Sequence, residues 1–584
     1  MNRRPVLLFL FLISGGCGLI YEVVWTRLFT VIIGNTVFSV SAILTVFMAG
    51  LALGSRLAGK LLDQRPIPLA RAYALLEAGI GVYNLLLPFF LKAADPFFGS
   101  LYSSAYQSFW ILELARLLIS FALLIVPATL MGATLPILIR LYVKNIASVG
   151  AQAGRVYAVN TLGAALGAAA AGFLLVPYIG VTFALYLAAA LNLCIALVAW
   201  QAGRKDETVS VVHETGDTAP GPRIFLVAML LSGVAALMNE VAWTRVLGLV
   251  VGPTTYAFTL MLCAMITGLA FGAAAGSHLT RRYEVRPSTF AWIEVGVGFS
   301  SLALVPAFGH LPVWIGTLVK RYAASFAALQ VLDLFLFFGL LLVPTILLGM
   351  TFPIAAKLYA KSDSLLGTEV SAIYAFNTIG GIVGSLAAGF ILIPRIGSQK
   401  TLIFAAVLSA ATGVLLTLGT RAKARDYIGD QRGSSNVAAG FSPRSYSQWF
   451  PAAGALLIIP GLFFIPRWDP ELMASGAYKY APYYPSNSDM ETMLTAGDLL
   501  YFKEGATTTV SAKRDRGKVS LAIDGKIDAT DAGDMITQKL LAHIPLLVSK
   551  SAKERGDHRA GQRRYGRRGA EASDRETGCR GNFA

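Results

Sequence analysis

The sequence predicts an all-α polytopic membrane protein of two parallel six-helix repeats, with a small C-terminal β-rich partial domain and a disordered tail. Three observations predict it. Mean hydropathy is +0.62, with 55% hydrophobic and only 14% charged residues. Apolar runs of about 20 residues, each long enough to cross a bilayer, recur through the first 466 positions. The unit they build is written twice: Ser14-Gly-Gly-Cys-Gly-Leu-Ile-Tyr-Glu-Val-Val-Trp-Thr-Arg returns as Ser232-Gly-Val-Ala-Ala-Leu-Met-Asn-Glu-Val-Ala-Trp-Thr-Arg.

The offset of 218, with a one-residue slip, holds for the rest of the half. Gly50-Leu-Ala-Leu-Gly matches Gly268-Leu-Ala-Phe-Gly, Glu77 matches Glu294, and Pro127 and Pro136 match Pro344 and Pro353. Tyr157-Ala-Val-Asn-Thr-Leu-Gly matches Tyr374-Ala-Phe-Asn-Thr-Ile-Gly, and Pro177 matches Pro394. Residues 1–202 form the first repeat, with spans near 5–28, 37–60, 73–94, 110–140, 156–177 and 180–201. A polar linker, 203–222, leads to the second repeat, 223–420, with spans near 224–247, 255–278, 288–310, 329–356, 371–394 and 400–419. Six is even, so the repeats share one orientation and a pseudo-twofold axis runs along the membrane normal. Small-residue runs beginning at Gly163 and Gly380 let helix backbones approach closely.

The opening Met1-Asn-Arg-Arg-Pro-Val-Leu-Leu-Phe-Leu has the look of a signal peptide. It lacks a small-x-small cleavage site and belongs to the recurring unit, so it reads as the first span. Basic residues such as Arg3, Arg4, Arg56, Lys60, Arg281, Arg282 and Lys357 gather at alternate span ends, which predicts a cytoplasmic N-terminus. A second linker, 421–449, precedes a candidate thirteenth span at 450–466 that is short and holds Pro451 and Pro460. If it crosses, everything from Trp468 onward lies outside the cytoplasm; if it is re-entrant, that part stays inside.

The formal charge of +16 sits in short loops and an Arg-rich end, and no aromatic-and-basic module accompanies it. No nucleic-acid role is expected. Cys17, Cys194, Cys263 and Cys579 are scattered and the five His do not cluster, so neither a disulfide framework nor a metal site is expected.

Charges inside spans are the candidate functional groups, because a charge in hydrocarbon costs several kcal/mol unless paired or hydrated. Glu22 and Glu240 lie deep in their spans, followed five residues later by Arg27 and Arg245. Glu77, Glu294, Glu113, Arg116 and Asp333 are also intramembrane or nearly so. Two readings stand. Either the carboxylates line a polar cavity that attracts a cationic solute, or Glu and Arg of symmetry-related helices neutralise one another and lock the halves. Asn160 and Asn377 read as interhelical hydrogen-bonding groups. The loop Gly59-Lys-Leu-Leu-Asp63-Gln-Arg65 resembles the Gly-x-x-x-Asp-Arg loop of major-facilitator transporters.

Residues 467–550 read as strands, turns and a helix, whereas 551–584 are dominated by Arg, Gly, Glu and Asp. Such a tail cannot bury enough apolar surface to offset its ordering entropy. The order Trp468-Asp-Pro-Glu-Leu-Met-Ala-Ser-Gly-Ala-Tyr-Lys-Tyr, Tyr501-Phe-Lys-Glu-Gly-Ala-Thr-Thr-Thr-Val-Ser, Asp524-Gly-Lys-Ile-Asp-Ala-Thr and Asp534-Met-Ile-Thr-Gln-Lys-Leu-Leu-Ala-His543 resembles bacterial membrane-fused spermidine synthases. These join a major-facilitator-like membrane region to a polyamine aminopropyltransferase domain.

The resemblance implies a small β domain ahead of a Rossmann-like domain. The latter binds the cosubstrate decarboxylated S-adenosylmethionine through a Gly-rich loop and supplies an Asp as base. The β domain is present here, but neither that loop nor that Asp is in frame, so no cofactor is expected for this chain. Gln538 lies where soluble relatives carry a His near the substrates; His543 reads as a packing residue. Read one base later, suitable codons for the stretch from Glu554 to Ala584 permit a strand running into a Gly-rich loop, then a strand ending in an acidic residue. A single-base frameshift near Lys553 is therefore expected.

The functional expectation is a multi-pass protein of a bacterial inner membrane, related to polyamine biosynthesis and catalytically silent in this form. Its partners would be the lipid bilayer and polyamines such as putrescine and spermidine. The alternative is a polyamine or other cation transporter, or a scaffold, that uses the duplicated membrane region alone.

Overall fold

A computed structural model describes residues 3–33, 37–105, 109–205, 222–431, 450–456, 458–485, 487–505 and 508–548. The first repeat comprises α1 (Arg3–Ile33), α2 (Val37–Gln64), α3 (Leu69–Ala105), α4 (Phe109–Tyr142), α5 (Val149–Ala169) and α6 (Val176–Ala202). The second comprises α7 (Ile224–Val251), α8 (Thr255–Arg282), α9 (Pro287–Tyr322), α10 (Phe326–Tyr359), α11 (Leu366–Leu386) and α12 (Ile393–Gln431). These helices are apolar around their circumference, as lipid-facing and bundle-facing surfaces both demand.

Among the described residues, ten helical stretches are long and apolar enough to cross a membrane. Two of them, Ile146–Ala202 and Leu366–Gly419, run 57 and 54 residues. A straight helix of that length would measure over 80 Å at about 1.5 Å per residue, roughly twice a whole bilayer. Each is broken where the sequence places a boundary between spans, at Gly180 (φ 81°) and Gly397 (φ 82°). That left-handed conformation suits glycine. Each break follows a short π-helical stretch, Ala170–Leu175 in one repeat and Ala387–Leu392 in the other. The sequence expectation of six spans per repeat is recovered, with helices that overrun several of the expected bounds.

The duplication is also physical. A Cβ on Gly163 would fall on the carbonyl oxygen of Leu12, and one on Gly380 on that of Leu230. Gly54 abuts Thr129 as Gly272 abuts Ile346. Backbones therefore touch at equivalent places in both repeats, which is how helices associate when lipid supplies no hydrophobic drive. Pro127 and Pro136 inside α4, and Pro344 and Pro353 inside α10, share one further spacing. The halves meet through α2 against α11 and α5 against α8.

After α12 the chain returns as α13 (Phe450–Leu456) and α14 (Ile458–Phe463), which lie along α9. Gly454 faces Trp292, Gly461 faces Leu302, and the Trp468 indole donates to the Val305 carbonyl at 2.7 Å. The segment thus follows α9 away from the end where α1 begins. Beyond it come α15 (Pro470–Met473), α16 (Ala477–Tyr480) and α17 (Met490–Leu494).

An antiparallel meander follows: β1 (Asp498–Glu504), β2 (Thr509–Asp515), β3 (Lys518–Ile523) and β4 (Lys526–Thr530), in that order across the sheet. Asp515 pairs with Lys518 and Ile523 with Lys526, leaving two-residue turns Arg516-Gly517 and Asp524-Gly525. All four turn residues have positive φ, the geometry that matches hairpin twist. A final helix, α18 (Met535–Val548), leaves the sheet. The tail expected to be out of frame lies outside the described residues.

Candidate functional site: a twofold cavity between the repeats

A cavity of about 240 Å³ is walled by both repeats. Its polar groups come in equivalent pairs: Ser14 and Ser232, Glu22 and Glu240, Tyr157 and Tyr374, Asn160 and Asn377, Thr161 and Thr378. α1 and α7 bring the carboxylates; α5 and α11 bring the phenols, amides and hydroxyls. Leucine, methionine and phenylalanine fill the walls between them, and no Lys, Arg or His is among the lining residues.

Glu22 and Glu240 are each 6% exposed, and both line this cavity. Thr26 and Thr244 donate to the carbonyls of Glu22 and Glu240, both at 2.8 Å, so those bonds hold backbone and leave the carboxylates to the cavity. Thr161 and Thr378 do the same toward Tyr157 and Tyr374, again at 2.8 Å. The chamber thus sets two buried carboxylates, with no basic residue in its lining, among amide, phenol and hydroxyl groups.

The charge-locking reading fails for these residues. Among the described residues no ion pair joins Glu22 or Glu240 to a basic side chain. Arg245 points instead toward the C-terminal domain, donating to the Gly505 carbonyl at 3.2 Å and the Thr509 hydroxyl at 3.3 Å. Arg27 is partly buried and lies outside the cavity wall. The cause is helix pitch: five residues turn a side chain well past the face of its neighbour at three or four.

Glu77 and Glu294 are fully buried, yet neither lines the cavity. They sit inside their own repeats. Glu77 accepts from the Ser14 hydroxyl at 2.5 Å and from the Asn192 amide. Asn192 also accepts from the Tyr21 hydroxyl at 2.7 Å, and the Trp25 indole donates to Asn84 at 3.1 Å. Asp333 is buried on α10. The side chains of Glu113 and Arg116 lie outside the described residues. Asn160 and Asn377 make no interhelical hydrogen bond among the described residues; both amides face the cavity instead.

Sequence reasoning missed the partners of Glu22 and Glu240. Tyr157, Thr161, Tyr374 and Thr378 sit in the recurring Tyr-Ala-x-Asn-Thr motif, and that recurrence was the available signal.

At the end of the bundle where α1 begins, the halves are latched. Asp63 accepts from the Gly367 and Thr368 amides at 3.0 and 2.6 Å, at the start of α11, where an anion meets free N–H groups and the helix dipole. Lys357 reaches the Ala147 carbonyl at 2.7 Å, and Arg140 that of Asp363 at 3.1 Å. The Asp of the loop motif is therefore a bridge between repeats.

At the opposite end the C-terminal domain caps the second repeat. Glu504 accepts from the Ser398 amide at 3.0 Å and from its hydroxyl, beside the bend at Gly397. Lys320, in the last turn of α9, donates to the Pro485 carbonyl at 2.5 Å. Asp524 accepts from the Thr509 amide at 2.7 Å, and Tyr478 donates to the Asp524 carbonyl at 3.3 Å. Burial, then the Asp524 charge, pushes the Tyr478 phenol up to about 12. Gln538 and His543, both on α18, are exposed. His543 therefore does not pack as expected: α18 packs against β4 and leaves Ile536 and Leu541 72% and 68% exposed.

Cys17, Cys194 and Cys263 are free thiols, and no cluster of His, Cys, Asp or Glu able to hold a metal occurs among the described residues.

No family model matches the chain. It is 25% identical over 201 residues to polyamine aminopropyltransferase 1 of Streptomyces coelicolor, a match covering 33% of this chain and 34% of that protein. The chain thus spans about a third of the length of the curated relative it matches. Among solved structures it is similar to the human organic anion transporter MFSD10, at 15% identity and TM-score 0.43, over 71% of this chain and 100% of that one. It is also similar to the E. coli fucose:proton symporter FucP, at 13% identity and TM-score 0.46, over 71% and 98%. A bacterial homologue of the iron transporter ferroportin, captured outward-facing, gives 16% identity and TM-score 0.47, over 71% and 98%.

Proposed function

We propose that the membrane region binds and carries an organic cation, with polyamines such as putrescine and spermidine as the leading class. One observation carries this: two buried carboxylates, Glu22 and Glu240, face a chamber whose lining holds no basic residue. A diamine can set one ammonium against each carboxylate while its methylenes lie along the leucine and methionine walls. The remaining amide and phenol groups would hold the other ammonium hydrogens. The latch at Asp63 closes the end where α1 begins, so release there would require those bonds to open.

The test is binding and uptake of labelled putrescine and spermidine by the full chain in proteoliposomes. Glu22→Gln with Glu240→Gln should lower binding by about tenfold or more, as loss of a desolvated charge pair does. Unchanged flux in that variant sinks the proposal.

A second reading concerns the C-terminal region, and its support is the likeness to a polyamine aminopropyltransferase. In it the meander and α18 correspond to the first part of such a domain, so that carrier and polyamine chemistry share one chain. The frameshift expected near Lys553 belongs to this reading, as does catalytic silence of the chain as given. Resequencing across that codon, and an assay of the full chain with decarboxylated S-adenosylmethionine and putrescine, test both. Codons unable to spell the shifted motifs, or measurable turnover, would overturn it.

A further inference from the structure

The two repeats treat their buried polar groups in opposite ways. In the first repeat Ser14, Glu77, Asn192 and Tyr21 close a hydrogen-bonded network, and Trp25 separately donates to Asn84. The equivalent positions of the second repeat hold Glu294, Ser409, Asn239, Ser232, Trp243 and Ser301. Three of these replacements are shorter side chains: Tyr21 becomes Asn239, Asn192 becomes Ser409 and Asn84 becomes Ser301.

Among the described residues none of the four polar groups left behind closes a bond of good geometry, although the Ser232 hydroxyl approaches Glu294. Both carboxylate oxygens of Glu294, both side-chain polar atoms of Asn239, and the hydroxyls of Ser301 and Ser409 are buried without a partner. Glu294, Asn239 and Ser409 are 0% exposed and Ser301 is 4%. Orphans of this kind are rare in native interiors and each calls for an explanation.

Helix register places Glu294, Asn239 and Ser409 together, while Ser301 lies seven residues beyond Glu294, about two turns along the same helix. Gly81 of α3 packs on Ala189 and Leu193 of α6; Gly298 of α9 packs on Ala406 and Ala410 of α12, at the same spacing in sequence. Gly15 meets Asn160, and Gly233 meets Asn377, again in equivalent register. Glu294 and Ser409 therefore face each other as Glu77 and Asn192 do, with Asn239 standing where Tyr21 completes the first network. Ser232 lies beside Glu294 as Ser14 lies beside Glu77.

We propose that Glu294, Asn239 and Ser409 form a binding site for a sodium ion within the second repeat. The donors are oxygens alone, one carboxylate with an amide and a hydroxyl, the set a hard cation takes. No thiolate or imidazole is present to favour a transition metal. One carboxylate balances one positive charge. A divalent ion would leave a net charge buried in the bundle, and water alone would leave the carboxylate uncompensated. The site adjoins the central cavity through Ser232, which lines it, and does not depend on which solute that cavity takes. A buried ion beside α7, which also carries Glu240, is placed to couple ion binding to the cavity.

The test uses the purified full chain in detergent, with sodium, potassium or choline chloride at equal ionic strength. Radioactive sodium binding and melting temperature are the readouts. Wild type should bind about one sodium per chain and melt higher in sodium than in choline, as a ligand of the native state requires. Glu294→Gln should lower sodium binding about tenfold or more and erase the melting difference. Asn239→Tyr with Ser409→Asn rebuilds the first repeat's own side chains in the site, and should abolish sodium binding while the protein still elutes as a folded monodisperse species. Sodium binding that survives in either variant overturns the proposal. So does the absence of sodium-specific binding in wild type, or stabilisation that follows acidification instead of sodium, which would assign a proton to Glu294.

Discussion

The two repeats share a backbone and differ in what they bury. Where glycine meets a carbonyl, the copies agree position by position: Gly163 on Leu12 and Gly380 on Leu230, Gly167 on Gly16 and Gly384 on Val234. Where polar side chains meet inside each repeat, they disagree. Glu77 has its partners and Glu294 lacks them. The far ends differ too, since Arg245 holds the C-terminal domain through Gly505 and Thr509. Helix contact in a bilayer depends on small residues that cannot change, so the scaffold stays symmetric. Interior polar networks tolerate exchange only when every group finds a partner, so their divergence marks where the repeats took separate roles.

The largest effect should fall on what is common to both. Gly163→Val and Gly380→Val each drive a side chain into a backbone carbonyl, with no flexible group to yield. Each should cost about 3 kcal/mol or prevent folding, read as loss of monodisperse protein after extraction. Tolerance of one but not the other would show that the scaffold is less symmetric than its contacts.

The next effect separates the repeats. Asn192→Ala strips a donor from Glu77 and leaves the Tyr21 hydroxyl unpaired, at a cost of about 2–3 kcal/mol. Ser409→Ala removes a hydroxyl that has no partner, and in sodium-free choline buffer should change stability by about 0.5 kcal/mol or less. Equal losses in thermal or denaturant melts would mean that the second network is closed as well.

Much of this was legible in the chain before any coordinates. The recurring Glu-Val-x-Trp-Thr-Arg unit gives the repeats, and its Glu gives both cavity carboxylates. Hydropathy alone cannot say which side of a helix a charge faces, so Glu77 and Glu294 read like Glu22 and Glu240, although they point into their own repeats. Arg245 looked like the neighbour of Glu240 because spacing along a chain ignores a domain folded back from residue 505. The unpartnered cluster had a visible signal that only the aligned copies expose: two shortened polar side chains, Asn239 and Ser409, around an unchanged Glu.

The smallest effect concerns the docked domain, and it sharpens the difference between the far ends. Burial raises the Asp524 carboxyl above its ordinary 3.8, against the opposing pull of the Thr509 amide and the Arg245 guanidinium. A carboxyl whose native pKa is raised binds more protons folded than unfolded. Its contribution is therefore fully present below the ordinary Asp value and is lost as pH rises through the native one. Docking of the C-terminal domain should weaken gradually from about pH 4 upward, seen as faster limited proteolysis between α14 and β1. Asp524→Asn keeps an acceptor for the Thr509 amide and removes the charge, so its proteolysis rate should lose that part of the pH dependence. Arg245→Ala should raise the rate at every pH, because it removes the bonds to Gly505 and Thr509 whatever the state of Asp524. Arg27→Ala, at the same place in the first repeat, should leave the rate unchanged. A rise there equal to that of Arg245→Ala would mean that the domain is held by the bundle as a whole and not by the end of α7.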